Sequence, residues 1–412
     1  MNLTNRLLLA PINNLNREEF RESFQKITSS DREFFFKKIL YDKYSPIFLN
    51  YINNHQLENL FNKKELARLR NQSKRFQIHS LQIVNELIYI NKLFKKKGLN
   101  PTYLKGAALM NEYKDLSLRP LVDIDILFKG EEVFDAYNVL KENNYKERIF
   151  SNQSIEDLRK YMKNKHELPE LHRDTNIMIE IHHRVTRRSD FENCPLSEKI
   201  IRNRRSINFY GVDIHIPAIE DVIVHQLVHF SINTRFNQLL RVFSDIKQIE
   251  SNYQVDWNEI YSFNENQKVR KSLSLSLEVI NFHFILTNGF DDLKNNYKIY
   301  FPKKEITLDA YGKTFKLEKT QISEDVLYRL GKSKSLFDFF RIVFSKIFVT
   351  RDQIVNDHNV LKSNYFNLIY FRSLSIFSRL LNYSSLVLNL LLKRGSVFQD
   401  FKRLEKIEKW LN

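Results

Sequence analysis

The chain has 412 residues, of which 42% are hydrophobic and 13% aromatic, enough to bury sizeable cores in two or three domains. Its 8 glycines and 8 prolines favour long helices and argue against a turn-rich β-sandwich or barrel. The single cysteine, Cys194, excludes an internal disulfide framework and a cysteine-based zinc cluster, so we predict a cytoplasmic protein.

The positive charge is concentrated near the end of the chain. The formal net charge is +16, and residues 331–412 carry 14 Lys and Arg against 6 Asp and Glu. This basic tail suits an acidic partner such as RNA or, as a peripheral contact, an anionic membrane surface; the alternative is the solvated face of a packed helical domain. The most apolar stretch, 376–392, is too short to span a bilayer. We therefore predict no transmembrane segment.

Residues 1–100 are predicted to form a helical N-terminal region. Apolar residues recur there at three- and four-residue spacings, and no strand-like alternation is sustained. One helix is predicted over 73–97, because Gly98 with Pro101 close behind it is a typical helix stop.

A second block, 101–216, alternates short apolar runs with short helical segments and is predicted to be a small α/β domain. Helical periodicity returns in 217–412, with a β excursion predicted near 298–318. The predicted fold class is therefore α+β, with a small mixed β-sheet core flanked by mainly helical N- and C-terminal regions.

The α/β block opens with a candidate phosphate-binding loop. A strand starts at Tyr103 and ends at Gly106, and a helix is predicted over 107–116. Free backbone N–H groups at a helix N-terminus bind anions, and a glycine there lets a phosphate approach closely. Lys105 would add a positive charge to this site.

Two carboxylates stand two residues apart in the next predicted strand, 123–128. Asp123 and Asp125 should therefore project from the same face of the sheet. Adjacent buried carboxylates repel each other without a cation, and Mg²⁺ prefers such oxygen ligands. The non-functional alternative is a pair of exposed strand carboxylates that form ion pairs with lysines.

A third carboxylate follows in a predicted hairpin formed by 166–172 and 177–183. Strand alternation places Glu180 and His182 on one face of its second strand. If that strand pairs beside the strand of Asp123, three carboxylates converge. Two would hold metal ions, and the third would bind metal or deprotonate an acceptor hydroxyl.

These motifs resemble the uncharacterised nucleotidyltransferases of the polymerase β superfamily. The resemblance lies in LKGAAL at 104–109, Arg119, DIDIL at 123–127 and IEIH at 179–182. It covers about residues 102–247, a little over a third of the chain.

The resemblance implies two Mg²⁺ ions and transfer of a nucleoside monophosphate from an NTP donor, with release of pyrophosphate. Its catalytic and metal-binding residues would be Asp123, Asp125 and Glu180. Its nucleotide-binding residues would be Lys105, Gly106, Arg119 and His182. The chain departs from the family pattern in two ways, since Lys105-Gly106-Ala107 replaces the usual Gly-Ser pair and the third acid is glutamate.

Two other functions fit part of the sequence. A metal-dependent glycosyltransferase also uses an Asp-x-Asp motif, but it expects a nucleotide-binding sheet before the motif, where 1–100 is predicted to be helical. A catalytically weak nucleotidyltransferase fold could instead serve as a binding module for RNA, membrane or protein. For the main hypothesis the acceptor is undetermined: a small metabolite, a protein or a tRNA end would each offer a hydroxyl.

Overall fold

The described residues form one mixed β-sheet of seven strands. The strands are β1 Thr102–Tyr103, β2 Asp123–Leu127, β3 Lys146–Glu147, β4 Leu171–His172, β5 Met178–His182, β6 Arg205–Phe209 and β7 Val212–Ile216. Their order across the sheet is β3-β4-β5-β2-β1-β7-β6. The pairs β2–β5 and β1–β7 are parallel, and the other neighbours are antiparallel.

The computed structural model describes residues 3–147, 154–173, 177–186, 195–237, 239–262, 266–281, 290–315 and 395–411, with 373, 376 and 377. It divides into two compact units. The first comprises 1–148, 152–302 and 314–317, and the second comprises 149–151, 303–313 and 318–412. Most of the basic tail and of the apolar stretch 376–392 lies outside the described residues.

Helices precede, connect and follow the strands in the first unit. These are α1 Leu3–Leu8, α2 Arg17–Gln25, α3 Ser29–Tyr41, α4 Ser45–Asn54, α5 Lys63–Lys96, α6 Lys105–Leu109, α7 Glu132–Glu142, α8 Ile155–Asn164, α9 Leu196–Arg202, α10 Ile219–Val228, α11 Leu239–Asn252, α12 Trp257–Ser262, α13 Gln267–Asn281 and α14 Phe290–Asn296. A π-helical turn, His229–Asn233, continues α10. Two more helices, α15 Lys304–Thr314 and α16 Gly395–Leu411, belong to the second unit except for Thr314.

The longest helix, α5, begins ten residues before its predicted start. Asn62 caps it, because its side chain accepts from the backbone N–H of Glu65 while the Glu65 carboxylate accepts from the Asn62 N–H. The first turns are polar and largely exposed, so the apolar spacing that marks the rest of the helix is missing there. The helix ends at Lys96, and Gly98, the predicted stop two residues later, adopts a φ of +73° that costs a glycine little.

Strand β2 is buried on the face opposite its carboxylates. Ile124 and Ile126 are fully buried, as the alternation of the sequence predicts. Helix α5 packs beside this strand, and its Phe94 makes an edge-to-face contact with Phe128 just after the strand, with ring centroids 5.1 Å apart. The apolar face of β2 thus anchors the strand, and its polar face is left for the site.

The predicted β excursion near 298–318 is wrong over its described part. Residues Lys298–Tyr300 form a 3₁₀ turn and α15 is helical; 316–318 lie outside the described residues. The buried residues of α15 include Thr307, Ala310 and Thr314, which recur at helical spacings. The apolar runs that suggested strands were three residues long, too short for alternation to be distinguished from helical periodicity.

The predicted fold class is confirmed: the described residues form sixteen helices and one mixed seven-stranded sheet. Residues 3–101, before β1, are helical or irregular, so they contain no nucleotide-binding sheet of the kind expected of a glycosyltransferase. Among the described helices, none has both the length and the apolar character that a membrane span requires.

Candidate active site

The parallel pairing of β2 with β5 brings the predicted carboxylates together. Its register aligns Asp123 with Met178, Asp125 with Glu180, and Leu127 with His182. Side chains at matched positions of neighbouring strands share a face of the sheet. Oxygen atoms of Asp125 and Glu180 and a ring nitrogen of His182 all lie within 4.8 Å of one another. The strand pairing on which the predicted site depended is therefore present, and it brings Asp125 and Glu180 together.

Lys105 reaches the same carboxylates from the end of β1. Its Nζ lies 2.5 Å from Asp125 Oδ1 and 3.8 Å from Glu180 Oε2. The backbone directs it there: Leu104 N–H donates to the Asp125 carbonyl, and Lys105 adopts a φ of +46°. We call Asp123, Asp125, Glu180, Lys105 and His182 the carboxylate cluster.

The surroundings of Gly106 differ from the expected phosphate cradle. A Cβ placed on this residue would lie 2.8 Å from Leu121 Cδ2 and 3.8 Å from Arg119 Nη1. The space beside the glycine is thus filled by the protein itself, and close packing is sufficient reason for a glycine here. Helix α6 has only five residues, so its dipole would stabilise a bound anion only weakly.

His182 bridges two acids of the carboxylate cluster. Its Nε2 lies 2.9 Å from Asp125 Oδ1 and 3.4 Å from Glu180 Oε2. The ring is almost fully buried, which alone would lower its pKa, but the two carboxylates raise the pKa to about 9. His183, the next residue, directs its Nε2 to the Lys165 carbonyl and not to the cluster.

The pKa values of the three acids of the carboxylate cluster are shifted in opposite directions. Burial would raise the pKa of Asp125, but Lys105 and His182 lower it well below its ordinary value. Burial raises the pKa of Asp123, helped by the neighbouring charge of Asp125. Burial likewise raises the pKa of Glu180, and Asp125 adds to the shift. Groups whose pKa values are pushed apart in this way are typical of acid–base sites.

Two cations near Asp123 come from distant parts of the chain. Arg241 lies on α11, and Lys43 follows α3 in the N-terminal region. Both interact electrostatically with Asp123. Burial lowers the pKa of Arg241 to about 10, helped by the charge of Arg119. Its Nη2 donates to the Pro120 carbonyl at 3.3 Å, and its Nε makes no hydrogen bond to a described residue.

Arg119 belongs to a separate buried group. Its Nε and Nη2 donate to the two oxygens of Asp245 at 2.7 and 2.9 Å, and its Nη1 donates to the Pro120 carbonyl. The Tyr113 hydroxyl donates to Asp245 Oδ1 at 2.7 Å. We call Arg119, Asp245 and Tyr113 the arginine network. Because Asp245 engages this guanidinium in a bidentate pair, Arg119 is held rigidly.

The donor set of the carboxylate cluster fits Mg²⁺. Carboxylate oxygens are the ligands this hard cation prefers. The buried Asp125 Oδ2 has no hydrogen-bond partner among the described residues, so one oxygen of the central acid is left for a cation. Asp123 is not among the three residues whose ligand atoms lie within 4.8 Å of one another, although it shares their face of the sheet.

Sequence reasoning missed four charged or histidine residues around this site. These are Lys43, Arg241 as a partner of Asp123, and the pair His166 and Glu167. Lys43 carried no local signal, since it lies some eighty residues before Asp123 in a region read only as helical. His166 and Glu167 could have been found by aligning the predicted hairpin, because Glu167 pairs with His182.

Comparison with known proteins adds an independent observation. No curated protein matches the chain. A family model described as uncharacterised nucleotidyltransferase matches residues 29–284, which is more than half of the chain. This range contains all seven strands and the whole carboxylate cluster. It also extends on both sides beyond the resemblance seen at 102–247, so that α3, α5 and α13 belong to the matched part.

Proposed function

Because the chain belongs to the family of uncharacterised nucleotidyltransferases, we propose that it transfers a nucleoside monophosphate from an NTP to a hydroxyl acceptor. Family membership confirms the predicted resemblance and the prediction of an enzyme. In the proposed reaction the acceptor oxygen bonds to the α-phosphorus. The bond from that phosphorus to the β-phosphate bridging oxygen breaks, and pyrophosphate leaves.

The observation that carries this proposal is the register of β2 with β5, which supports a shared role for Asp125 and Glu180. Asp123, Asp125 and Glu180 would hold two Mg²⁺ ions. When bound, Mg²⁺ supplies positive charge that offsets the charge developing on the phosphates. The unpartnered Oδ2 of Asp125 supports this assignment.

Glu180 is the best candidate to receive the proton of the acceptor hydroxyl. Burial raises its pKa, and a base with a raised pKa takes up a proton more readily. Asp125 is a poorer base because Lys105 and His182 hold its pKa low. His182 would keep the two carboxylates in place through its Nε2.

Three cations would bind the triphosphate of the donor. Lys105 Nζ lies among the carboxylates, so a phosphate held beside Asp125 would come within its reach. Arg241 and Lys43 supply positive charge beside Asp123, two residues before Asp125 on β2. Arg119 was predicted as the triphosphate contact; its bond to Asp245 favours a supporting role, in which it orders the site next to Arg241.

A first experiment tests nucleotide binding and turnover. The purified chain is titrated with each NTP and Mg²⁺ by calorimetry, and pyrophosphate release is followed in cell extract. We expect binding of at least one NTP, lost in Asp123→Asn with Asp125→Asn. Asp213→Asn, an exposed aspartate on β7, is the matched control and should behave like the wild type. Binding that is the same in the double variant would contradict the proposed site and favour the binding-module alternative.

The acceptor is sought in the same assay. With α-labelled NTP, transferred label appears in RNA, in protein or in small molecules, which are the three classes that remain open. We place the reaction in the cytoplasm, where NTPs are available and a single cysteine stays reduced. Whether the basic tail binds an acidic partner or membrane surface stays a prediction, since most of it lies outside the described residues.

A further inference from the structure

We propose that His166, Glu167 and His182 form a second metal site, which takes a borderline divalent cation such as Zn²⁺. These three residues are called the histidine cluster. Two imidazoles and one carboxylate are a ligand set that zinc favours, whereas Mg²⁺ favours oxygen ligands alone. The proposal does not depend on the transfer reaction proposed above.

Backbone pairing brings the histidine cluster together. The segment before β4 pairs antiparallel with the end of β5, where Glu167 stands opposite His182. Leu168 N–H donates to the Ile181 carbonyl at 2.8 Å, and His183 N–H donates to the His166 carbonyl at 3.1 Å. Paired residues of adjacent strands project to the same face, so the Glu167 carboxylate and the His182 ring are neighbours.

The side chains converge closely enough for shared coordination. One ligand atom from each of the three residues lies within 4.8 Å of the other two. His166 Nε2 is 2.8 Å from Glu167 Oε2, and the two imidazole rings have centroids 5.1 Å apart. Both rings are at most 2% exposed. Small rotations of the side chains would bring the three atoms to the roughly 2 Å metal–ligand distances of zinc sites.

The two ring nitrogens of His182 have different surroundings. Its Nε2 contacts Asp125, and its buried Nδ1 has no hydrogen-bond partner among the described residues. A histidine that binds a metal through one ring nitrogen commonly donates the N–H of the other to a carboxylate. With Nε2 donating its hydrogen to Asp125, Nδ1 would exchange its own proton for the cation, since metal binding requires the neutral ring. His182 would thus join the histidine cluster to the carboxylate cluster.

The structural alternative is a buried histidine pair that only packs the hairpin. Such a pair with one neighbouring carboxylate is a common way to satisfy buried imidazoles. That reading explains the contact of His166 with Glu167, but it gives no reason for the free Nδ1 of His182, which is deeply buried. A bound cation accounts for both observations and would also fix the ring that positions Asp125.

Cobalt binding tests the site through a readout separate from activity. The full chain is stripped with a chelator, and Co²⁺ is added in the presence of excess Mg²⁺ while its ligand-field absorption is recorded. We expect one Co²⁺ per chain, displaced by Zn²⁺. His166→Ala with Glu167→Gln should weaken binding at least about 100-fold, since losing even a residue that only hydrogen-bonds to a metal ligand weakens binding about 10- to 100-fold.

Two control variants separate this site from the carboxylate cluster. His172→Gln changes a half-buried histidine in the same hairpin and should bind Co²⁺ like the wild type. Asp123→Asn should also bind Co²⁺ normally, even if it abolishes nucleotide transfer. Failure of the transfer reaction therefore leaves the metal site standing. Absence of Co²⁺ binding, or equal binding in the His166–Glu167 variant, overturns the proposal.

X-ray absorption at the zinc edge keeps the proposal testable should that variant fail to fold. The wild-type chain loaded with one Zn²⁺ should show two imidazole ligands at about 2.0–2.1 Å. A single imidazole would mean that zinc binds Asp125, Glu180 and His182 instead. That result would overturn the assignment to His166 and Glu167.

Discussion

The carboxylate cluster and the arginine network are two buried groups of charges in one compact unit, and they differ in how completely their charges are matched. In the arginine network one guanidinium meets one carboxylate in a bidentate pair, and Tyr113 completes it. In the carboxylate cluster three acids share Lys105 and His182, and an oxygen of Asp125 is left over. Burial of charge alone therefore does not mark a functional site. Incomplete matching, with pKa values pushed apart, does so better.

The largest expected effect on this comparison comes from removing Glu180, the proposed general base. Glu180→Gln should lower the turnover number by about 10²- to 10⁴-fold, the usual contribution of a general base. The loss should be in kcat more than in the affinity for NTP, because Glu180 would act on the acceptor. Steady-state rates of pyrophosphate release measure this. Glu142→Gln, an exposed glutamate at the end of α7, is the control, and an equal loss in both would contradict the role of Glu180.

The arginine network should respond in stability. Asp245→Ala leaves the Arg119 guanidinium buried without its counter-charge, so the free energy of unfolding should fall by about 3–5 kcal/mol. Urea denaturation measures the change. Replacing both partners, in Arg119→Met with Asp245→Leu, should cost much less because no charge is left unpaired. If the single and double variants lost equal stability, the network would not be a matched pair.

Arg241 interacts electrostatically with Arg119 of the arginine network and with Asp123 of the carboxylate cluster, so replacing it tests how the two groups differ. Arg241→Met should weaken NTP binding about 10- to 100-fold, since a hydrogen bond to a charged group contributes about 1.5–3 kcal/mol. Calorimetry with Mg²⁺ and NTP measures it. Arg159→Met, which breaks an exposed ion pair with Glu131, is the control. Unchanged affinity for NTP in Arg241→Met would contradict the proposed contact between Arg241 and the triphosphate.

The smallest effect, expressed per pH unit, concerns His225 on α10. Burial lowers its pKa to about 3, and the charge of Lys105 adds to the shift. The native state therefore keeps this ring neutral while the unfolded state protonates it below about pH 6.5, so stability is lost as the pH falls from about 6.5 towards 3.

This histidine should contribute at most about 1.4 kcal/mol per pH unit to the slope. His225→Gln should flatten the pH dependence of the unfolding free energy by that amount. Parallel slopes for the wild type and the variant would show that His225 is not buried in its neutral form.

Local patterns were sufficient for the parts of the site that lie on single strands. Alternation predicted that Asp123 and Asp125 share a face, as do Glu180 and His182, because a strand repeats every two residues whatever surrounds it. The hairpin pairing β4 with β5 was also predicted and is confirmed. The start of α5 was placed too late, since its first turns lack the apolar face on which the prediction relied.

Contacts between distant segments could not be predicted in this way. Lys43, Arg119, Asp245 and Arg241 meet near the site from three separate regions, and no short-range pattern encodes their proximity. The Arg119 assignment was carried over from the resemblance, and only the fold gives this residue its partner Asp245. Gly106 likewise looked like part of a phosphate loop until its neighbours Leu121 and Arg119 were known.

The sequence by itself determined the α+β class, the two acids of β2 and the third acid of β5, because strand periodicity and a short motif are local properties. The tertiary structure alone decided that β5 lies parallel beside β2, that Lys105 and His182 fill the space between the acids, and that His166 and Glu167 adjoin them. Such neighbours depend on chain reversals and strand order, and these follow from burying the whole apolar surface at once.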